Sequence, residues 1–532
     1  MGLSKRQKQI ESHVSGDKTK IEPAIEHTDS PATSRSFLEA PQVTMVSPEI
    51  APFAKTGGLG DVLGALPLAL ERLGLRPCLF MPAYRSVLRG GFPLEDTGIR
   101  FTVPLSSHRV EGSLLKTVTG SAIPVYLIRA DHYFDRDYLY GTPDADYPDN
   151  AERFIFFARA VLEVLRLSPP HLLHAHDWQS ALVIAFLKAQ AQLYPELAST
   201  KTIFTVHNLG FQGLFRHLDW QLLELDWRFF TPRYLEFYGK INFLKGGLVF
   251  ADTITTVSPT YAEEIKTAEQ GFGLESVFQE RAASLVGILN GADYSIWNPE
   301  TDPFIAQNYS AKDLSGKKSC KTALQHVFGL PLDAELPLVG MVSRLTVQKG
   351  IDLLQEALDR LLSRKLQLVI IGTGEGRYEQ FFSNVSLAYP GTVGVKIVFD
   401  ESLAHRVIAG ADMFLVPSRY EPSGLTQLYS LKYGTVPIVR ATGGLKDTIE
   451  EFDPEMGTGN GFVFSSYQVD DFLAAVDRAV ALFRQPERWT VLMYKAMITD
   501  FSWERTARAY LDLYRKLGVE VKLATEVKEA RH

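Results

Sequence analysis

Glu421 lies in Ser418-Arg-Tyr-Glu-Pro-Ser-Gly-Leu-Thr-Gln-Leu-Tyr429, after the apolar run Met413-Phe-Leu-Val-Pro417 and before the helix-like Leu428-Tyr-Ser-Leu-Lys-Tyr-Gly434. The carboxylate therefore stands in a Pro/Gly turn just ahead of a helix N-terminus. There, free backbone N–H groups and the positive end of the helix dipole favour phosphate. Proline fixes the turn, and Gly424 removes the side chain that would keep a ligand away from the backbone. A carboxylate beside a diphosphate seat suits chemistry on a sugar attached to a nucleotide. Taken alone, the segment also fits a capped surface helix with an incidental acid.

Three other segments carry groups of matching chemistry. In Val342-Ser-Arg-Leu-Thr-Val-Gln-Lys-Gly350, Arg344 and Lys349 fall in a strand-to-helix turn where both reach one diphosphate. Arginine offers a two-pronged contact and lysine a point charge, although solvated surface cations would look the same. Phe53-Ala-Lys-Thr-Gly-Gly-Leu-Gly-Asp61 supplies the mobile cation Lys55, the paired glycines Gly57 and Gly58, and a helix opening at Asp61. It lacks the P-loop spacing, so a plain turn remains an alternative to a ligand loop. Gly372-Thr-Gly-Glu-Gly376 has the wrong spacing for a dinucleotide fingerprint and reads better as the wall of a nucleoside pocket.

His174-Ala-His-Asp-Trp178 ends a strand. Two histidines and an acid raise the question of a metal, but no third ligand cluster accompanies them. A crevice histidine bonded to a sugar hydroxyl is favoured, with a buried structural histidine as the alternative. Asp149 opens a helix and reads most simply as its N-cap. Asn290 closes an apolar strand at the seam between two halves of the chain. There is no G-x-S-x-G and no Cys/His nucleophile setting.

These groups need a scaffold that brings them together. The 532-residue chain exceeds what one hydrophobic core supports, so two domains are expected. Hydrophobic residues at 45% and charged residues at 22% describe an ordinary globular protein. A net charge of -7 without a basic stripe argues against a nucleic-acid binder, and no apolar stretch is long enough to span a bilayer. Two cysteines, Cys78 and Cys320, are too few for a disulfide framework and fit a reducing cytoplasm. Residues 1–40 are polar, carry no apolar h-region and read as a mobile tail; 521–532 form a second tail.

Between the tails, short β-branched runs alternate with helix formers, the pattern of a mainly parallel, doubly wound α/β sheet. One series runs from Val43-Thr-Met-Val-Ser47 to Val286-Gly-Ile-Leu289, and a second from Leu338-Val-Gly-Met-Val342 through Val395-Lys-Ile-Val398 to Val436-Pro-Ile-Val439. The boundaries expected are 41–292 for the first domain and 293–502 for the second. An amphipathic helix from Trp503 (503–520) is expected to cross back to the first domain. Two wound sheets imply two switch-point crevices, and facing halves would hold the ligand between them.

Read together, these segments closely resemble bacterial glycogen synthase and plant starch synthase, the ADP-glucose-dependent branch of retaining glucosyltransferases. The carriers are Lys55-Thr-Gly-Gly-Leu, His174-Ala-His-Asp-Trp, Val257-Ser-Pro-Thr-Tyr-Ala, Leu289-Asn-Gly, Ser343-Arg-Leu-Thr-Val-Gln-Lys-Gly, Arg419-Tyr-Glu-Pro-Ser-Gly-Leu-Thr-Gln, Thr442-Gly-Gly-Leu445 and Phe501-Ser-Trp503, in order from about Val43 to Leu517. The resemblance implies the GT-B architecture, with two facing Rossmann-like domains. It also implies elongation of an α-1,4-glucan from ADP-glucose without a cofactor or required metal. By the same resemblance, Arg344 and Lys349 hold the diphosphate, and Lys55, Gly57 and Gly58 assist from the opposite domain. Glu421 binds sugar hydroxyls and stabilises charge at the anomeric centre, while the amides of Gly424, Leu425 and Thr426 meet phosphate. His176 and Asn290 become glucose contacts, with Asp61 and Asp149 as supporting groups. Two departures stand out: Ser423 occupies a position that is often cysteine in bacterial relatives, and Tyr429 stands where the wider class carries a second carboxylate. A different acceptor, a UDP-linked donor and a catalytically silent glucan binder remain alternatives. A dehydrogenase fits the glycine spacing poorly.

Overall fold

The computed structural model describes residues 41–120, 122–142 and 145–520. The two expected tails, 1–40 and 521–532, lie outside the described residues. The first half contains β1 (Val43–Val46), β2 (Pro77–Pro82), β3 (Glu95–Leu105), β4 (His108–Thr119), β5 (Ile123–Arg129), β6 (Leu172–His176) and β7 (Lys201–Val206), then β8 (Leu214–Arg216), β9 (Glu236–Phe237), β10 (Lys240–Asn242), β11 (Thr253–Thr256) and β12 (Leu285–Gly287). Nine of these strands form one sheet in the order β12-β11-β7-β6-β1-β2-β5-β4-β3. Every residue of β1, β2 and β6 is buried, as expected of parallel strands covered on both faces.

The antiparallel edge made by β3 and β4 is the part of this mainly parallel sheet that the sequence pattern did not place. In β3, Arg100 is exposed and Thr102 and Pro104 half-buried between the buried Ile99, Phe101, Val103 and Leu105, so one face is wet. That alternation is the mark of an edge hairpin. A small antiparallel sheet, β8-β10-β9, stands apart from the main sheet.

The second half contains β13 (Leu338–Val342), β14 (Gln367–Ile371), β15 (Val393–Lys396), β16 (Met413–Val416), β17 (Val436–Arg440) and β18 (Phe462–Phe464). All pair in parallel, in the order β15-β14-β13-β16-β17-β18. Counted from β13 this is 3-2-1-4-5-6, the dinucleotide-fold order, whose direction reverses between β13 and β16. The parallel part of the first sheet reverses in the same way between β1 and β6. Strand β15 begins and ends two residues before the expected run, which leaves Val398 and Phe399 in the loop beyond it.

Alternation along the second sheet builds two cores. Val339 and Met341 of β13 and Leu368 and Ile370 of β14 join one cluster; Leu338, Val369 and Ile371 join the other. The closing helix Trp503–Lys516 buries Trp503, Ala507, Tyr510, Leu511 and Tyr514 in the core of the first half and packs on the helix Gly58–Arg72. Where it crosses, Ala292 N–H donates to the Phe501 carbonyl at 2.7 Å, and a Cβ at Gly291 would lie 2.7 Å from Trp503 backbone. The two crossings of the chain are therefore pressed together at one seam.

That packing depends on neutral histidine. His174 is fully buried, with Nδ1 2.9 Å from the Tyr514 hydroxyl and Nε2 2.6 Å from Thr205 Oγ1. Burial lowers its imidazole from 6.5 to about 3, and burial does the same to His207. A histidine depressed in the folded state contributes stability above its unfolded value and loses it as the pH falls towards the folded value. Thermal unfolding followed by circular dichroism should show Tm dropping as the pH falls below 6.5 towards 3. His174→Gln should flatten that slope; an unchanged slope would remove His174 from the account.

Candidate active site

Both switch points open on one cleft of about 1070 Å³, lined from both halves of the chain. From the first half come the loop after β1 and the ends of β6 and β7. From the second come the loops after β13, β14, β15 and β16. The halves meet closely: a Cβ at Gly58 would lie 3.4 Å from Leu425 Cδ1.

Glu421 follows β16 and is 5% exposed. Its Oε2 accepts from Lys349 Nζ at 2.6 Å and from Ser418 Oγ at 2.8 Å. Lys349 closes the short 3-10 turn Val347–Lys349 after β13, so the strand reversal itself creates this pair. The turn below Glu421 demands glycine twice. Gly424 has φ +69, and a Cβ there would lie 2.4 Å from Gln427 Oε1. Gly443 has φ +45, and its Cβ would lie 2.0 Å from the Glu421 carbonyl oxygen. Leu425 N-caps the helix Thr426–Lys432, whose first turn takes no side-chain cap and faces the cleft. Arg344 lines the same wall. Among the described residues no carboxylate pairs with it; its nearest polar contact is Gln348 Oε1 at 3.5 Å.

Opposite, Lys55 Nζ stands 2.9 Å from Asp61 Oδ1 and 3.4 Å from Glu401 Oε2 of the second half. Burial raises the Asp61 carboxyl above the usual range although Lys55 pulls it down. The helix here begins at Gly58 rather than at Asp61, and Gly57 is its extended N-cap. Gly60 permits this early start, since a Cβ there would meet Lys55 Cβ at 2.5 Å. Glu49 ties the loop down: its carboxylate accepts from Thr56 N at 2.6 Å, Thr56 Oγ1 at 2.8 Å and the Tyr140 hydroxyl at 2.7 Å.

Lys55, Gly57, Gly58, Asp61, Asn290, Arg344, Lys349, Glu421, Gly424, Leu425 and Thr426 thus share the cleft. His176 and Asp149 do not line it. His176 is fully buried behind His207, with Nδ1 3.0 Å from His207 Nε2; its own Nε2 has no partner. His207 reaches the cleft instead. Asp149 corrects the simple N-cap reading: it occupies the cap position without capping, and its Oδ1 accepts from Arg136 Nη1 at 2.8 Å. The guanidinium of Arg136 holds its carboxyl below the usual range despite partial burial. The neighbours Pro148 and Asn150 line the cleft in its place.

Asn290 is 5% exposed, and its Oδ1 has no protein partner. Tyr429 lies parallel to Trp297 with ring centroids 4.1 Å apart, and Trp297 stacks in turn on His405 at 3.7 Å. The phenol therefore belongs to a ring stack in the cleft wall, so this site has one helix-adjacent carboxylate, not two.

Among the cleft residues to which the sequence assigned no role are Glu49, His207, Trp297 and Phe399, while Asp177 entered only as the acid of the His174–Trp178 motif. Asp177 directly follows His176 and adopts φ +56, rare for a residue with a side chain. Its Oδ1 accepts from His207 N at 2.8 Å, yet loss of solvation pushes its carboxyl up to about 7. Phe399 is 78% exposed on the second wall. Among the described residues no group of three or more His, Cys, Asp or Glu side chains is arranged to hold a metal ion.

Comparison with known proteins agrees with this geometry. Residues 42–280 match the family described as the starch synthase catalytic domain, and residues 325–491 match glycosyl transferases group 1. Glycogen synthase of Koribacter versatilis is 48% identical over 478 residues, which span 89% of this chain and 98% of that protein. The chain belongs to the glycogen and starch synthase family. Another member, glycogen synthase of Geobacillus stearothermophilus, is 44% identical over 472 residues, spanning 88% of this chain and 96% of that one. In structure, this synthase superposes on the catalytic domain of starch synthase IV from Arabidopsis thaliana bound to ADP and acarbose. The TM-score is 0.82 at 33% identity, covering 90% of this chain and 99% of that one. The two facing sheets are the GT-B architecture.

Proposed function

We propose that this synthase transfers glucose from ADP-glucose to the non-reducing end of an α-1,4-glucan, with retention at the anomeric carbon. The observation that carries this reading is the convergence of Lys55 from one half with Arg344, Lys349 and Glu421 from the other on a single cleft. Residues 41–292 together with 503–520 form the acceptor side, and 293–502 the donor side.

In the transfer, the bond between glucosyl C1 and the β-phosphate oxygen breaks and a bond from C1 to the acceptor 4-oxygen forms on the same face. The acceptor proton passes to the departing phosphate, so no separate base is required. Charge accumulates on the diphosphate, and fixed cations supply most of the stabilisation. Arg344 and Lys349 hold the leaving group, and the turn at Gly424, Leu425 and Thr426 adds backbone donors. Lys55 approaches the same phosphates from the Gly57–Gly58 loop. Glu421 offsets positive charge at C1 and binds hydroxyls. Asn290 Oδ1, buried in the cleft wall without a protein partner, is free to bond a glucose hydroxyl, and His176 acts from behind His207, which it contacts at 3.0 Å. Asp61 orients Lys55, and Asp149 supports the acceptor wall through Arg136. The exposed ring of Phe399 offers a base a stacking platform. Two free, buried cysteines are consistent with a cytoplasmic enzyme.

Labelled ADP-glucose, supplied with and without a glucan primer, tests the reading. Label should enter the primed glucan in α-1,4 linkage, and UDP-glucose should compete poorly. Transfer to a small phosphorylated sugar in preference to glucan would favour a different acceptor. ADP release with no labelled glucan would overturn the proposal.

A further inference from the structure

Away from the nucleotide wall, the two halves are joined by a second set of contacts that the transfer chemistry does not use. The helix Pro259–Glu264 follows β11 in the first half, and the helix Gly443–Thr448 follows β17 in the second; they pack against each other. Near the end of each, one carboxylate, Glu264 in the first and Asp447 in the second, grips the start of the other helix. Asp447 accepts from Thr260 N at 3.0 Å through Oδ2 and from Thr260 Oγ1 at 2.6 Å through Oδ1. Glu264 accepts from Thr442 Oγ1 at 3.0 Å and from Gly443 N at 3.0 and 3.1 Å. In both cases one acid takes a threonine hydroxyl together with a backbone N–H from the opposite half. Burial raises the Glu264 carboxyl while the Gly443 N–H and Thr442 hydroxyl draw it back, so the charge lies in a desolvated seam.

The Glu264 contact ends at the floor of the active site. Gly443 is the residue whose Cβ would strike the Glu421 carbonyl, and Gly444 N donates to that same carbonyl at 3.1 Å. Tyr420, immediately before Glu421, reaches back to the first half: its ring lies 5.3 Å from Phe272, and a Cβ at Gly210 would lie 2.8 Å from its hydroxyl. A carboxylate of the acceptor side therefore holds the turn on which the catalytic Glu421 rests.

We propose that Glu264 and Asp447 are positioning residues, a reciprocal two-carboxylate clasp that fixes the closed arrangement of the halves and seats the Thr442–Gly444 turn beneath Glu421. The inference rests on the glucosyltransferase reading for its kinetic consequence alone. The clasp spans the halves at two points, so closure and alignment of Glu421 are one event. Losing either acid leaves donor binding to Arg344, Lys349 and the glycine turn intact but lets Glu421 drift, and a misplacement of about 1 Å costs as much as a hundredfold in rate.

The test uses the full chain and the variants Glu264→Gln, Asp447→Asn and Glu264→Asp, with two readouts. Amide hydrogen exchange with ADP bound should show lost protection at Thr260 in Asp447→Asn and at Gly443 in Glu264→Gln. Glucan synthesis should show kcat falling about tenfold or more while the Kd for ADP stays within about twofold, and Glu264→Asp should recover part of the rate. Unchanged protection at both amides would overturn the clasp. Unchanged kcat despite lost protection, or a loss of kcat that only follows a global fall in Tm, would overturn its positioning role. A wild-type protein that transfers no glucose would refute the functional reading instead, and the exchange data would still decide the clasp.

Discussion

Glu421→Ala is expected to lower kcat at least about a hundredfold, the size of losing a group aimed at developing charge. In this cleft the carboxylate is 5% exposed and fixed from two sides, by Lys349 at 2.6 Å and Ser418 at 2.8 Å. A group so held is pre-oriented and needs no reorganisation when positive charge grows at C1. Glu421→Gln keeps the shape and most of the hydrogen bonds but removes the charge, so it should lose nearly as much as alanine. ADP affinity, measured by calorimetry, should change little, because the diphosphate is bound by other groups. Near-normal turnover in either variant would remove Glu421 from the chemistry. A large loss in alanine alone would assign it a packing role.

The cations and the glycine turns were legible because each lies at the carboxyl end of an apolar run, where a wound sheet must place its ligand-binding loops. Lys55, Arg344, Lys349 and Glu421 are separated by up to 366 residues in the chain yet line one cleft, since both sheets reverse direction at the strands that precede them. Other features followed less directly. The hairpin β3–β4 alternates wet and dry residues over long strands, a pattern hidden by attention to short buried runs. His176 and His207 show a limit of motif reading. The histidine of the motif is buried, and a histidine from the next strand comes in front of it. Only the sheet order, with β6 beside β7, sets which of the two faces the cleft. The strand expected at 395–398 instead ends at Lys396, which leaves Phe399 in the loop beyond it, where its ring lines the cleft. Trp297 acts by contact with His405 and Tyr429 far along the chain, and Glu49 joins the nearby Thr56 to the distant Tyr140; no periodic pattern announces such contacts.

Lys349→Ala should weaken the transition state by roughly 2–5 kcal/mol, the cost of removing one partner from a desolvated charge pair. Lys349 has two duties: it neutralises Glu421, and it presents a cation to the leaving diphosphate. Side-chain exposures of 20% for Lys349 and 7% for Glu421 keep water from screening the pair. Deleting the lysine therefore both strips charge from the phosphate site and leaves Glu421 without its counter-ion. The loss should appear in kcat/KM for ADP-glucose and in a weaker Kd for ADP, which separates it from Glu421→Ala. Because the two side chains touch, their effects cannot be independent. The double variant Lys349→Ala/Glu421→Ala should lose less than the two single losses combined. Strict additivity would mean that the 2.6 Å contact contributes nothing to catalysis, and that the lysine serves the phosphate alone.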